Sequence, residues 1–444
     1  MVPAQAVVAI DSRSRNLKHL EGIKLLLIVI NILHSKEMKN QSEELIAHYQ
    51  KALVIKPNNA KVHSELGKLY DFQGNFEEAT YHYIQAIQFN PANLLSYWNL
   101  KYALIAINWF GRTVDRSLLD KGIDTLRSIV QNQPDFFLPY RTLGDLLTQK
   151  GAIEEAISCY KTASYKYLVL SKPELAEKDW NPDQKRNPNF LILGFMRSGT
   201  TSLYAYLTCH PQIIPASDKE LHFFTNFFDR GIEWYLSHFS PIADGVDYLT
   251  GEATPTYINS PGVANKVFEL FPTIKLIVLL RNPVDRVISA ISLHKPPGFN
   301  SAQLVQGITD GLDKAQTLIN SMPDALAIEN SSVVNCDLDH RGVASTYHLL
   351  SGLYIFHIKE WLTIFPKNQL LMINSKDFFS NPSKTMKEVH GFLNIPNYQL
   401  ATYDSYALGT RSLIPDELRR QLVEFYRPYN EQLEEYLGMK FNWE

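Results

Sequence analysis

The residues that could do chemistry are densest at 190–202, which read Phe-Leu-Ile-Leu-Gly-Phe-Met-Arg-Ser-Gly-Thr-Thr-Ser. A glycine-bounded loop between an apolar run and a helix start can direct its backbone N–H groups at an anion, and the helix dipole adds positive charge there. A loop for nucleoside triphosphates requires Lys directly after its second glycine, but Thr200 stands there and Arg197 is the cation of the loop. The segment therefore predicts a phosphate site that does not hold the β- and γ-phosphates of ATP.

A second candidate anion site follows the apolar run 274–280. Arg281 stands at the end of this predicted strand, and Ser289 lies about two turns into a helix that Pro283 can begin. A guanidinium and a hydroxyl directed at one point form a clamp for phosphate, although an Arg at a strand end is as often part of an ion pair. Two such clamps on neighbouring strands indicate a nucleotide that is phosphorylated at both ends of its ribose.

With these two motifs, residues 190–444 resemble the sulfotransferases that use 3′-phosphoadenosine 5′-phosphosulfate. Their 5′-phosphosulfate loop is similar to residues 194–201, and their 3′-phosphate motif is similar to Arg-x-Pro-x-x-Arg-x-x-Ser at 281–289. The resemblance implies this nucleotide as co-substrate and no metal ion. Their basic loop near the C-terminus matches only in part. The donor-binding residues that the resemblance implies are Arg197, Ser198, Gly199, Thr200, Thr201, Ser202, Arg281, Ser289, Thr410 and Arg411.

A third segment, Lys-Glu-Leu-His-Phe-Phe at 219–224, is similar to the one that carries the catalytic Glu in heparan-sulfate-type and related carbohydrate sulfotransferases. The resemblance implies that Glu220 is the general base for the attacking hydroxyl or amine, a role that typically contributes about 10²–10⁴-fold. Alternatively, Glu220 is an exposed partner of Lys219. His222 would bind the acceptor or orient Glu220, or it packs beside Phe223.

This chain departs from the heparan-type pattern at two positions. Arg197 replaces the loop Lys of that group; a guanidinium, with its pKa above about 12, can stabilise leaving-group charge but does not readily donate a proton. Ala253 stands where those members have a second Lys, so that cation is missing or comes from elsewhere. The second departure weakens the case for a glycosaminoglycan acceptor more than the case for the reaction.

Several acceptors and two other function classes compete. The segment around Glu220 favours a carbohydrate hydroxyl or amine, whereas the Arg-Ser-Gly-Thr-Thr loop also resembles that of tyrosylprotein sulfotransferases, which act on protein tyrosine. A nucleotide kinase or NTPase is disfavoured because Lys is absent at position 200. A non-catalytic nucleotide-binding scaffold is disfavoured because Arg197, Glu220, Arg281 and Ser289 are all present.

The elements that must position these residues follow Pro188, where short apolar runs alternate with helical stretches. This alternation predicts an α/β domain with a buried parallel sheet covered on both faces, and ligands bind beyond the carboxyl ends of such strands. Residues 295–345 fit no core element and are predicted to form an acceptor-binding lid. The predicted strands are 190–193, 274–280 and 370–373, and the predicted helices are 202–207, 264–270, 287–293, 353–365 and 383–393.

The first 170 residues contain a helical repeat. Six positions recur after a shift of 77, which is two 34-residue periods plus nine residues, and this period is typical of tetratricopeptide repeats. We assign repeats to 60–93, 94–134 and 137–170, after a half-formed unit, and Trp98 to packing. An ordinary helical bundle would not explain the coincidence. The recurring residues are Leu66, Gly67, Gly74, Ala79, Tyr83 and Ala86, then Leu143, Gly144, Gly151, Ala156, Tyr160 and Ala163.

The predicted organisation is therefore a tetratricopeptide-repeat solenoid at 1–175, a linker at 176–188 and a P-loop-like sulfotransferase domain at 189–444. This combination resembles bacterial tetratricopeptide-repeat sulfotransferases. The concave face of the repeats is a candidate surface for a protein partner.

Composition and charge narrow the partners and the compartment. The net charge of −3 over 444 residues gives no overall attraction to nucleic acid or to an anionic membrane. The three cysteines are far apart, which favours a reducing, cytoplasmic location. The apolar run 23–33 is about half of the ~20 residues that span a bilayer, so a buried helix is expected there rather than a membrane anchor.

Overall fold

The computed structural model describes residues 38–109, 111–178, 185–241, 247–293, 301–321, 345–404 and 414–443. The first part is a row of helices that pack against their neighbours along the chain. At the N-caps of three of them, Asn59, Asn75 and Asp115 each accept a hydrogen bond from the backbone N–H three residues on, which satisfies a donor of the first turn. The helices are α1 (Met38–Ile55), α2 (Ala60–Phe72), α3 (Phe76–Phe89), α4 (Leu94–Trp109), α5 (Arg116–Asn132), α6 (Phe137–Lys150), α7 (Ile153–Ser171) and α8 (Pro173–Lys178).

Small residues let the paired helices of a repeat approach closely. A Cβ atom on Gly67 would lie 2.5 Å from the ring of Tyr83, and one on Gly144 would lie 2.6 Å from the ring of Tyr160. These two pairs are related by the shift of 77 residues, so the same contact occurs in both repeats. The predicted helical-repeat architecture is confirmed.

The second part contains a five-stranded parallel sheet in the order β2-β3-β1-β4-β5. Alternate residues of β1 enter two different apolar cores: Leu191 and Leu193 face one, and Phe190 and Ile192 face the other. The buried, doubly covered parallel sheet is therefore confirmed, and two of its strands were not predicted. The strands are β1 (Phe190–Gly194), β2 (Ile213–Pro215), β3 (Leu249–Ala253), β4 (Lys275–Leu280) and β5 (Leu370–Asn374).

Helices cover both faces of the sheet and complete the domain. Within the predicted lid, residues 301–321 form a helix whose apolar side packs into a core shared with the helices at 345–350 and 416–437. Apart from this helix and Ser345, the residues of the predicted lid lie outside the described residues. The helices are α9 (Thr200–Thr208), α10 (Ile232–Leu236), α11 (Val263–Leu270), α12 (Pro283–Leu293), α13 (Ser301–Ser321), α14 (Ser345–Leu350), α15 (Tyr354–Ile364), α16 (Ser375–Ser380), α17 (Pro382–Leu393) and α18 (Asp416–Leu437).

The repeats pack directly on residues 217–240 of the second domain. Trp234 donates from its indole Nε1 to Thr148 Oγ1 at 2.9 Å, and the imidazole of His238 lies 4.0 Å from the ring of Tyr160. Ser164 donates to the carbonyl of Ser237 at 2.8 Å. Side chains of α6 and α7 are thus buried against the chain's own second domain.

No helix in the described ranges combines the length and the apolar character that a membrane span requires. The apolar run 23–33 lies outside those ranges.

Candidate functional site

The predicted anion loop joins β1 to α9 at the carboxyl edge of the sheet. Phe195 N–H donates to the carbonyl of Leu279 on β4 at 3.0 Å, and the carbonyl of Ser198 accepts from Ser375 Oγ at 2.6 Å. Gly199 has φ +106°, in the left-handed region that favours glycine. The loop is therefore held by neighbours on both sides before any ligand arrives.

The structure brings the two predicted anion clamps together. Arg197 Nε donates to Ser289 Oγ at 2.9 Å, and Arg281 Nη1 donates to the carbonyl oxygen of Arg197 at 2.8 Å. Burial and the nearby Arg281 lower the pKa of the Arg197 guanidinium to about 10. In the part of the chain that is described, Arg197 has no carboxylate as an ion-pair partner. Two cations held together in this way favour an anionic ligand.

The hydroxyl residues of the loop lie at the start of α9. Thr200 is buried at its first position, and Thr201 is partly exposed. The Oγ of Ser198 is buried and finds no hydrogen-bond partner among the described residues, which suits a polar group that awaits a ligand. Thr410 and Arg411 lie outside the described residues.

The segment that carries Glu220 has an unusual backbone. Glu220 has φ +62° and His222 has φ +53°, conformations that are uncommon for residues with a side chain. Glu220 Oε1 lies 2.5 Å from Lys219 Nζ, and Glu220 Oε2 lies 3.8 Å from His222 Nε2. The alternative pairing with Lys219 therefore exists, but the Glu220 side chain is 24% exposed and also faces His222.

The protonation states of this pair follow from burial and from the charges around it. Burial alone would raise the pKa of the Glu220 carboxyl, but Lys219, His222 and Lys101 together bring it below its ordinary value. Burial lowers the pKa of His222 to about 4. At neutral pH, Glu220 is thus an ionised acceptor of protons beside a neutral imidazole.

A buried carboxyl group that the sequence reasoning missed supports this segment. Glu252 on β3 is fully buried, and burial raises its pKa. Its Oε2 accepts from Thr254 Oγ1 at 2.6 Å and from the N–H of Leu221 at 3.5 Å. Ala253, the position of the second family Lys, is also fully buried. Glu252 therefore links β3 to Leu221, the residue after Glu220. The signal for this carboxyl group in the sequence was the pair Gly251-Glu252.

The end of β3 also connects Glu220 to the anion loop. His222 N–H donates to Thr254 Oγ1 at 3.4 Å, and the N–H of Ile258 donates to the carbonyl of Leu193 on β1 at 3.1 Å. The segment of Glu220 and the end of β1, from which the anion loop starts, therefore both contact residues that follow β3 at the carboxyl edge of the sheet, where ligands of such sheets bind.

Two cations from the repeats reach the same region, and no sequence motif indicated them. Lys101 Nζ lies 2.5 Å from Asp218 Oδ2, and Arg141 Nη1 lies 3.4 Å from Asp218 Oδ1. The guanidinium carbon of Arg141 lies 4.7 Å from the centroid of the Trp98 ring, so Trp98 packs against one of these two cations.

Family models match both parts of the chain. Residues 187–407 match a model described as "Sulfotransferase domain". Residues 39–71 match a "TPR repeat" model, and residues 60–93 match a "Tetratricopeptide repeat" model.

Curated relatives are similar to between 50% and 59% of this chain. A "Membrane-associated sulfotransferase kil1" of Dictyostelium discoideum is 27% identical over 58% of this chain and 66% of its own length. A human "Heparan sulfate glucosamine 3-O-sulfotransferase 6" is 29% identical over 59% of this chain and 75% of its own length. A human "Bifunctional heparan sulfate N-deacetylase/N-sulfotransferase 3" is 30% identical, with 50% and 24% covered. The chain thus spans between a quarter and three quarters of these relatives.

Among solved structures, a sulfotransferase from Alicyclobacillus acidocaldarius is 24% identical, with a TM-score of 0.42, over 57% of this chain and 97% of that one.

Proposed function

We propose that this chain, in which tetratricopeptide repeats precede a sulfotransferase domain, transfers a sulfuryl group from 3′-phosphoadenosine 5′-phosphosulfate to a hydroxyl or amine of a carbohydrate. The observation that carries the proposal is that Arg197, Arg281 and Ser289 contact one another at the carboxyl edge of the sheet, the edge at which the ionised Glu220 also lies. The names of the heparan sulfate relatives support the carbohydrate acceptor.

The residues present fit an anionic nucleotide. The loop 194–199 and the first turn of α9 offer backbone N–H groups and hydroxyls, including the buried Oγ of Ser198 that has no partner among the described residues. Arg281 and Ser289 would hold the 3′-phosphate, in keeping with the family motif. Arg197 contacts both of these residues, through its Nε to Ser289 and its carbonyl oxygen to Arg281, and from the loop it would face the 5′-phosphosulfate.

Charge and proton then move between this chain's own residues and the two substrates. As the acceptor oxygen or nitrogen bonds to sulfur, the bond from sulfur to the bridging oxygen of the donor breaks, and negative charge grows on the released phosphate. Arg197 would stabilise that charge as a fixed guanidinium. Glu220 would take the acceptor's proton, since it is ionised at neutral pH. The neutral imidazole of His222, whose Nε2 lies 3.8 Å from Glu220 Oε2, would bind the acceptor beside it. The products are a sulfated acceptor and 3′,5′-adenosine bisphosphate.

Isothermal titration tests the donor site. We expect binding of 3′,5′-adenosine bisphosphate without Mg²⁺ and little response to ATP with Mg²⁺, since Lys is absent at position 200. Tight binding of ATP with no response to the bisphosphate would contradict the proposal. A screen of carbohydrate, tyrosine-peptide and small-molecule acceptors with labelled donor then identifies the acceptor class.

A matched pair of variants tests the base. Glu220→Gln should lower turnover by about 10²–10⁴-fold while the affinity for the bisphosphate stays near that of the wild type. Glu233→Gln is the control, because Glu233 also pairs with a lysine at 2.5 Å but lies on the surface. If Glu220→Gln turns over like Glu233→Gln, or if it loses the nucleotide, Glu220 is not the base.

A further inference from the structure

A buried charge cluster joins the repeats to the segment of the proposed base. Asp218 lies two residues before Glu220, and its side chain is 4% exposed. Lys101 on α4 lies 2.5 Å from one carboxylate oxygen, and Arg141 on α6 lies 3.4 Å from the other. Their side chains are 7% and 1% exposed. Both cations therefore belong to the interior of the molecule, although they come from the other domain.

Lys101 also holds the backbone of the segment. Its Nζ donates to the carbonyl oxygen of Lys219 at 2.7 Å, while Asp218 Oδ1 accepts from the N–H of Lys219 at 2.8 Å. The peptide groups on both sides of Lys219 are thus fixed by one buried ion pair, and Glu220 is the next residue.

We propose that the tetratricopeptide repeats are part of the catalytic apparatus of this chain, with Lys101 and Arg141 as positioning residues that hold the segment 218–220 and thereby aim the Glu220 carboxylate. The proposal rests on the function proposed for Glu220. The repeats then act within the reaction and do more than offer a surface for partners.

The backbone of this segment requires such support. Glu220 and His222 both have positive φ, and residues in such conformations persist only where their surroundings hold them. No helix or strand includes residues 216–222. On the side of the sheet, Glu252 and Thr254 accept from the N–H groups of Leu221 and His222. On the N-terminal side of Glu220, the buried cluster of Asp218 with Lys101 and Arg141 holds the backbone in the corresponding way.

The charge of Lys101 also acts on the base. It adds to Lys219 and His222 in holding the pKa of Glu220 below its ordinary value. Besides these three groups, Tyr102 on α4 interacts with Glu220, and the Asp218 carboxylate acts on the same Tyr102 and His222 that Glu220 faces. Removal of Lys101 leaves the negative charge of Asp218 less compensated, so the pKa of Glu220 should rise.

The test compares Lys101→Met with Lys101→Arg and with Lys150→Met in the full-length chain. Lys150 is the control, because its Nζ lies 2.6 Å from Asp120 Oδ1 in an ion pair that joins two residues of the repeats and does not include the segment 218–220. Lys101→Met should lower kcat by on the order of 10²-fold, as expected for a misplaced catalytic group, with the bisphosphate Kd within about twofold of the wild type. The acid limb of its pH–kcat profile should move to higher pH. Lys101→Arg should restore most of the activity.

Asp218→Asn adds a second route to the same result, since it keeps the side-chain shape. It should lower kcat similarly, and the double variant Lys101→Met/Asp218→Asn should be no worse than either single variant, because groups that act as one unit are not additive.

Three results would overturn the inference. In the first, Lys101→Met matches Lys150→Met in kcat and in pH profile. In the second, kcat falls only in step with bisphosphate affinity and thermal stability, which indicates general loss of structure. In the third, Glu220→Gln itself is fully active. A fully active Glu220→Gln also overturns the function proposed for Glu220. An inactive Glu220→Gln beside an unaffected Lys101→Met overturns this inference alone, so the two failures are distinguishable.

Discussion

Substitution of Gly194 should damage the donor site through the backbone alone. Gly194 ends β1 and begins the anion loop, and a Cβ atom there would lie 2.5 Å from Ile258 Cγ2 and 2.7 Å from the carbonyl oxygen of Pro255. The oxygen belongs to the main chain and cannot rotate away, so either the loop or the end of β3 must move.

The magnitude follows from two contributions to the free energy of unfolding. Overpacking a filled interior costs about 1–3 kcal/mol, and an unfavourable backbone conformation costs a further ~1–3 kcal/mol; Gly194 has φ +152°. Gly231→Ala is the matched control, because Gly231 has φ +84° and, its chain neighbours apart, no described residue comes within 4 Å of the position that a Cβ atom would take. The clash alone should separate the two variants by about 1–3 kcal/mol, or ~2–12 °C in Tm at 2–4 °C per kcal/mol for a domain of this size.

Differential scanning calorimetry and bisphosphate titration check both consequences. Arg197 lies three residues after Gly194, so a displaced loop should lose its charge-assisted contact and weaken bisphosphate binding by at least about tenfold. Gly231→Ala should bind normally. If the two alanine variants share the same Tm and the same affinity, the contact between the strand end and residues 255–258 does not shape the donor site.

Two further predictions concern the clamp and the response to acid. Ser289→Ala removes the acceptor of Arg197 Nε and should weaken bisphosphate binding by about 2- to 13-fold, from a net ~0.5–1.5 kcal/mol for one hydrogen bond; unchanged affinity by titration would contradict the role of the clamp. Burial lowers the pKa of His357 to about 3, below the ordinary 6.5. As the pH drops from 6.5 toward 3, His357 is therefore protonated in the unfolded chain before it is protonated in the folded chain, and the free energy of unfolding falls. The loss from this residue should reach on the order of 3 kcal/mol by pH 4, and thermal scans of His357→Gln over pH 4–7 should show a flatter decline than the wild type.

The sequence predicted those elements whose signals are local. The run 190–193 is continuously apolar and buried on both faces, which is typical of a central parallel strand. The strand β3 gave no such signal, because it reads Leu-Thr-Gly-Glu-Ala. Gly251 is required there, since a Cβ atom would lie 2.3 Å from the carbonyl oxygen of Phe190 on the paired strand. A polar strand of this kind is recognised only after its neighbours are in place.

The contacts between the domains could not be predicted from local pattern at all. Asp218 finds Arg141 across 77 residues of sequence, and Lys101 finds the Lys219 carbonyl across 118. Neither cation lies in a motif, and the repeat consensus does not distinguish them from surface residues. Only the packing of α4 and α6 on residues 217–240 makes Lys101 and Arg141 buried partners of the segment 218–220.

Two neighbouring carboxyl groups, Glu252 and Glu220, differ in exposure and in pKa, and these differences bear on the base proposed for the reaction. Glu252 is fully buried, its oxygens are occupied by donors from Thr254, Leu221 and Tyr235, and burial raises its pKa. Glu220 is partly exposed, and the cations beside it hold its pKa low. A group that takes a proton from a substrate must be reachable from solvent, which favours Glu220 over the fully buried Glu252 as the proposed base. Because two of the charges nearest Glu220 are lysines and one of them, Lys101, comes from the repeats, the ionisation of Glu220 depends on both domains at once.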